Sequence, residues 1–326
     1  MCRRRAFRLM NLYLKAVAIF GVALAAATIA INATADEVWL CAGQSNMQQG
    51  WGQYAFTPEE KTRVNEELSQ LGSLEIDFWD FITGETTRLT PENARAKCAM
   101  GVSFAIRRAK ATGGRVKILY VAAGGAPTEA FLSRARMCEK DASGEYKYPR
   151  LAAIANNPEP LERNADFPCA WVASVIAQRR KNMLEGYWWD ISAMYNGGVL
   201  KIRSEPLTGI LWYQGESNAT RNVEPEGPTP YDYQLETLLA VIDELRGGKD
   251  IPFIMMGLPK IARPWESYRA AQKEACRIKG AYYVDTFAAG LGEMHDVHPC
   301  DKRPFADLAN KAAEEALGKT AKTVCQ

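Results

Sequence analysis

The chain has 326 residues, with 40 Lys and Arg against 38 Asp and Glu, eight Cys and only two His. Near-balanced charge, no basic stripe and no RNA- or DNA-reading motif argue against a nucleic-acid partner. Two histidines, with no C-x-x-C or H-E-x-x-H spacing, argue against a bound metal, and no cofactor is expected.

The first segment reads as a signal peptide over 1–35. Arg3, Arg4, Arg5, Arg8 and Lys15 form a basic start, residues 16–31 are apolar, and Ala33, Thr34 and Ala35 fit an A-x-A cleavage site. The apolar run is short for a span of about 20 residues, so no stable membrane span is expected after cleavage. The mature chain then starts at Asp36, and the expected location is secreted or periplasmic. Arg4 and Arg5 ahead of Phe7 leave both export routes open. Cleavage removes five basic and no acidic residues, which leaves 35 basic against 38 acidic side chains, a net −3. It also removes Cys2. An odd count of seven cysteines outside the cytoplasm leaves at least one free thiol, assigned here to Cys41 in a strand expected to be buried. The other six allow up to three disulfides, with Cys138 and Cys169 as one candidate pair.

Beyond the signal, strand and helix patterns alternate. The apolar run 38–42 reads as a strand that enters CAGQSNM at 41–47. Thr57, Pro58 and Glu60 form a capping box with Pro at the first helical position, opening a helix over 57–70. A strand at 74–79 and a short helix at 103–111 precede a strand at 116–122, which ends in AGGAPTEA at 123–130. Residues 132–190 carry four prolines and read as an irregular insertion. The run 207–212 is a strand leading into YQGESN at 213–218, followed by a Pro-rich loop at 221–230. Leu235, Leu238, Leu239, Ile242 and Leu245 share one face of a helix over 231–246. A strand at 252–256, a helix at 265–277, a strand at 281–284, the segment EMHDVHP at 293–299 and a helix at 304–317 complete the chain. The strands lack clean alternation, as expected for a sheet covered on both faces. The pattern predicts an α/β fold with three layers, α/β/α, around a mostly parallel sheet. Residues 36–326 are expected to form one domain with a variable insertion near 132–190.

The polar motifs all follow strands, where ligands of such sheets bind. Ser45 sits on a turn after Gly43 and is the candidate nucleophile. His295 and His298 are the only histidines; His298, with Asp296 two residues earlier, is the candidate base with its orienting acid. Gly124 and Gly125 can turn backbone N–H groups toward an oxyanion. Gln214, Gln44 and Asn46 are further oxyanion or substrate-binding candidates, and Trp51 is a candidate pocket wall. Trp188, Trp189, Tyr231 and Tyr233 read as packing residues rather than sugar platforms. The insertion and the 221–230 loop follow strand ends and are expected to wall the site.

Taken together, GQSNM at 43–47, GGAPTEAF at 124–131, MYNG at 194–197, WYQGESN at 212–218 and DVHP at 296–299 resemble the SGNH hydrolase superfamily. Within it, they resemble the sialic-acid-specific acetylesterase group of carbohydrate esterases. The resemblance implies a flavodoxin-like SGNH fold and a carbohydrate O-acetylesterase that works through a Ser45 acyl-enzyme on an acetylated sugar or polysaccharide, of sialic acid or xylan type. It is also what brings Glu216 forward, since relatives in the acetylxylan branch resemble this arrangement with a Glu in the orienting role. Two positions depart from the pattern: Gly257 stands where a Gln is common, and His295 where many relatives have Asp. Alternatives are an esterase for a non-sugar ester and a catalytically silent carbohydrate-binding protein on the same scaffold. The sequence leaves the oligomeric state open.

Overall fold

A computed structural model describes residues 35–51, 57–156, 192–220, 231–259, 265–291 and 301–324. Seven strands form one sheet among them: β1 (Glu37–Gly43), β2 (Ile76–Asp80), β3 (Glu85–Arg88), β4 (Val116–Ala122), β5 (Gly209–Tyr213), β6 (Phe253–Met256) and β7 (Tyr282–Val284). Their order is β3-β2-β4-β1-β5-β6-β7, and every pairing is parallel except that of β3 with β2. Five longer helices are α1 (Pro58–Ser69), α2 (Ala99–Thr112), α3 (Tyr231–Arg246), α4 (Glu266–Lys279) and α5 (Arg303–Val324).

Side-chain direction assigns the layers. Gly43 of β1 pairs with Tyr213 of β5, so Trp39, Cys41 and Tyr213 share one face of the sheet. On that face Trp39 meets Phe104 of α2 edge-on at 5.0 Å, and Tyr213 stacks on Phe305 of α5 at 5.7 Å. On the opposite face Trp212 meets Phe131 at 4.9 Å. Phe131 belongs to a short turn that packs on α3, and α3 packs on α4. The expected three-layer α/β/α arrangement around a mostly parallel sheet is the one observed.

The sheet has buried faces throughout β1, β5 and β6, which explains the continuous apolar runs. At the amino end of β1, the Glu37 carboxylate is also buried and is clamped by Arg108 of α2 at 2.6 and 2.9 Å. Trp39 Nε1 donates to the same carboxylate at 2.7 Å, and Arg108 reaches Asn310 of α5 at 3.2 Å. A buried charge is tolerable here because every one of these donors is aimed at it or extends its partner.

Several boundaries differ from the sequence reading. Strand β3 is an added element: its residues ETTR are polar and mostly exposed, so they carry no signal of a buried strand. Helix α2 begins four residues earlier than expected, through Gly101, where a Cβ would lie 2.6 Å from Cys98 Sγ. The insertion also behaves differently in its described part. Residues 132–156 lie along α3, with Ser133 Oγ on Glu244 at 2.6 Å, Tyr148 Oη on Asp243 at 2.7 Å and Leu151 N on Glu236 at 2.9 Å. These contacts run along the helix body, so this part packs on the helical layer. Residues 157–191, with Trp188, Trp189 and Cys169, and the 221–230 loop lie outside the described residues.

Cys41, Cys98, Cys138 and Cys276 carry free thiols. Cys41 fits the expectation of a free thiol. Cys98 and Cys276 are buried and reduced, with burial pushing each thiol up to about 12, which keeps them protonated and unreactive. The suggested pairing of Cys138 with Cys169 lies outside the described residues; the Cys138 thiol is 3.8 Å from Asn156 Oδ1.

Candidate active site

The strand order reverses direction at β1 and β5. The chain leaves β1 toward β2 and leaves β5 toward β6, so a crevice opens at their carboxyl ends. Ser45 follows β1 there, and Glu216 follows β5.

Close approach of the two strands shapes the nucleophile turn. A Cβ on Gly43 would lie 2.0 Å from the Tyr213 carbonyl oxygen, so only glycine lets β1 pass β5 at this level. Gln44 then turns, and a single helical turn, Ser45–Gln48, begins at Ser45. Met47 N and Gln48 N donate to the Gln44 carbonyl at 3.0 and 2.7 Å, which fixes the turn. Ser45 is half-buried, while Gln44 and Asn46 on either side are buried.

Hydrogen bonds bring the other motifs to this turn. Gln44 Oε1 accepts from Ser217 N at 3.3 Å, and Ser217 Oγ donates to the Gly125 carbonyl at 3.0 Å. Gly125 has φ +76, a left-handed turn that suits glycine. Gly124 lies beside Ser45: a Cβ on it would be 3.8 Å from Ser45 Cβ, and its N–H donates to Gln48 Oε1 at 2.6 Å. Asn46 is fully buried; its Nδ2 donates to Glu216 Oε1, and its Oδ1 accepts from Lys302 Nζ at 2.5 Å. Burial raises the Glu216 carboxyl to about 7, against the lowering pull of the Asn46 hydrogen bond and the Lys302 charge.

A second buried network holds the same loops from behind. Glu129 accepts from Asn218 Nδ2 at 3.1 Å and from Tyr233 Oη at 2.6 Å. Asn218 Oδ1 accepts from Thr128 N at 3.0 Å, and Thr128 Oγ1 lies 3.0 Å from Tyr268 Oη. Tyr268 packs against Gly215, where a Cβ would lie 2.0 Å from its ring. Tyr233 is tied into this network through its hydroxyl, whereas Tyr231, read with it as a packing residue, is 38% exposed.

Ser45, Gln44, Asn46, Glu216, Gly124 and Gly125 thus come together. Gln214 is placed differently from the sequence reading: it is fully buried and its Nε2 donates to the Ala126 carbonyl at 2.6 Å. That bond braces the Gly124 loop from below, because β5 directs the Gln214 side chain into the protein. Trp51 is also buried, at 3% exposure. His295, Asp296 and His298 lie outside the described residues. Lys302 and Gln48 have roles in this cluster that sequence reading missed. Lys302 offers a weak signal, standing four residues after His298; Gln48 offers its place one helical turn from Ser45. Beside Gln48, a cavity of about 350 Å³ opens at the carboxyl ends of β2 and β4, lined by Phe78, Asp80, Lys97 and Tyr120 among others.

Comparison with known proteins agrees with this layout. A family described as carbohydrate esterase, sialic acid-specific acetylesterase, matches residues 167–318. That stretch contains WYQGESN and DVHP. The sialate O-acetylesterase of Rattus norvegicus is 24% identical over 210 residues, covering 57% of this chain and 36% of the relative. The chain thus spans about a third of the length of that curated relative. A crystal structure of a carbohydrate acetylesterase from Xanthomonas citri superposes with a TM-score of 0.58 at 22% identity, covering 86% of this chain and 56% of the other. The resemblance carried by the sequence motifs therefore holds in both the family match and the fold.

Proposed function

We propose that this chain is a carbohydrate O-acetylesterase that works through a serine acyl-enzyme. The observation that carries the reading is the meeting of the Ser45 turn, the Gly124-Gly125 turn and Glu216 at the carboxyl ends of three adjacent strands. Ser45 Oγ attacks the acetyl carbonyl while His298 takes its proton, and His298 then returns a proton to the sugar oxygen as that alcohol leaves. Water, activated by the same imidazole, releases acetate from Ser45. The oxyanion is met by the N–H groups of Ser45 and Gly125, joined by Gly124 as Gln48 gives up its bond. Asp296, or Glu216 in its place, orients the imidazole.

Connectivity supports the part played by His298. Lys302 bonds Asn46, the neighbour of Ser45, and stands four positions after His298. Four residues reach about 14 Å when extended, enough to set an imidazole against the nucleophile. The cavity beside Gln48 supports a substrate larger than a bare acetyl group. We also propose that the chain acts outside the cytoplasm after export, on the pattern of residues 1–35.

The deciding experiment is hydrolysis of p-nitrophenyl acetate by the wild type and by Ser45→Ala. Turnover should fall at least 1000-fold in the variant with an unchanged melting temperature. Near-wild-type turnover would end the serine mechanism. Binding of sugar with no hydrolysis by the wild type would favour a silent binding protein. Acetate release from acetylated xylan and from O-acetylated sialic acid then identifies the sugar, and Asp296→Asn compared with Glu216→Gln identifies the orienting acid.

A further inference from the structure

We infer that Lys302 is a positioning residue, which acts through Asn46 to hold Glu216 as a carboxylate beneath the nucleophile turn and to tie the start of α5 to that turn. The inference rests on the acetylesterase reading above and adds to it a residue with no role in that mechanism.

Three buried side chains make the link. Lys302 is 1% exposed, Asn46 0% and Glu216 2%. Lys302 Nζ donates to Asn46 Oδ1 at 2.5 Å across 256 positions of sequence, and Asn46 Nδ2 donates to Glu216 Oε1 across 170. One amide thus receives a charged donor on its oxygen and offers its N–H to an acid. An ammonium on the amide oxygen polarises the N–H and strengthens its bond to a carboxylate. Burying a Lys is costly, and an apolar residue would serve equally well if only packing were needed. Lys302 directly precedes α5, so the same bond anchors the chain that follows His298 against the residue next to Ser45.

Among the groups acting on Glu216, the Lys302 charge favours its ionised form. The Tyr268 phenol of α4, which feels both the Glu216 and the Glu129 carboxylates, is itself held far above its ordinary range by burial. The backbone N–H groups of Gly215 and Glu216 also favour the ionised form. A carboxylate at this point stabilises the imidazolium that forms when Ser45 gives up its proton.

The test is Lys302→Met in the full chain, assayed on p-nitrophenyl acetate across pH. We expect kcat to fall about 10- to 100-fold with KM within about twofold. The acidic limb of the kcat/KM profile should move up by about one pH unit, as Glu216 loses the charge that favours its ionisation. A fall in rate with the limb unmoved would reduce Lys302 to a structural residue and overturn the inference, as would an unchanged rate. Should Lys302→Met not fold, Glu216→Gln/Lys302→Met removes both buried charges and serves in its place. Its activity should match that of Glu216→Gln alone within about twofold; losses that multiply overturn the link. If the wild type hydrolyses no ester, the proposed function fails separately. The link is then read from stability: the gain from Glu216→Gln should level off at a higher pH and reach a larger value when Lys302 is Met, and an unmoved plateau overturns it.

Discussion

At the residue scale, the site is governed by groups that are buried but not neutral. Glu216 ionises near 7, above the ordinary 4.5, chiefly because it is buried. The folded state therefore holds its proton more tightly than the unfolded chain. The stability this confers is fully present below about 4.5 and is lost as pH rises through about 7. Glu216→Gln cannot ionise and escapes that loss. The variant should be more stable than the wild type at pH 8 by up to about 3 kcal/mol, with most of the gain gone at pH 5. Urea titrations at the two pH values check this; an equal difference at both would show that ionisation of the carboxylate costs the fold nothing. Gly43 and Gly215 show the same economy of space. Each stands where a Cβ would meet its neighbour at 2.0 Å, and each sits within two residues of a proposed site residue.

At the element scale, the signals that worked were those written into neighbouring residues. The capping box of α1 is present in full: Glu60 N donates to Thr57 Oγ1 at 3.2 Å and Thr57 N to Glu60 Oε2 at 2.8 Å. Thr57→Ala should cost about 1 kcal/mol and lower the melting temperature by a few degrees, while kcat stays at the wild-type value. A thermal melt beside the ester assay tests both halves. The signals that failed needed partners from elsewhere. Among the described residues strand β3 pairs with β2 alone, and its mostly exposed polar residues read as loop until that pairing is known. Residues 132–156 mix polar and apolar side chains without a clear period, yet Glu236, Asp243 and Glu244 of α3 hold them to the helical layer. Nothing local in either segment announces its partner.

At the scale of the whole molecule, distant segments are joined by buried polar pairs as well as by apolar packing. Arg108 of α2 clamps Glu37 at the start of β1 and touches Asn310 of α5, so one guanidinium joins the sheet to two helices. Arg108→Met leaves the Glu37 charge buried without it and should cost about 3–5 kcal/mol. Glu37→Met/Arg108→Met should recover much of that loss, and chemical denaturation of both variants decides it. Such pairs mark the limit of what the chain reveals by itself. The apolar runs, the capping box and the alternation of strand and helix patterns were enough to determine a layered α/β fold and to mark Ser45 and Gly124-Gly125 as polar motifs at strand ends, because each depends on residues a few positions apart; Glu216 came forward through the family resemblance. Only the tertiary structure decided that Gln214 turns inward to Ala126, that Asn46 reaches Glu216, and that Lys302 closes the chain 256 positions away. A buried hydrogen bond depends on which groups share a desolvated space, and sequence separation carries no record of that.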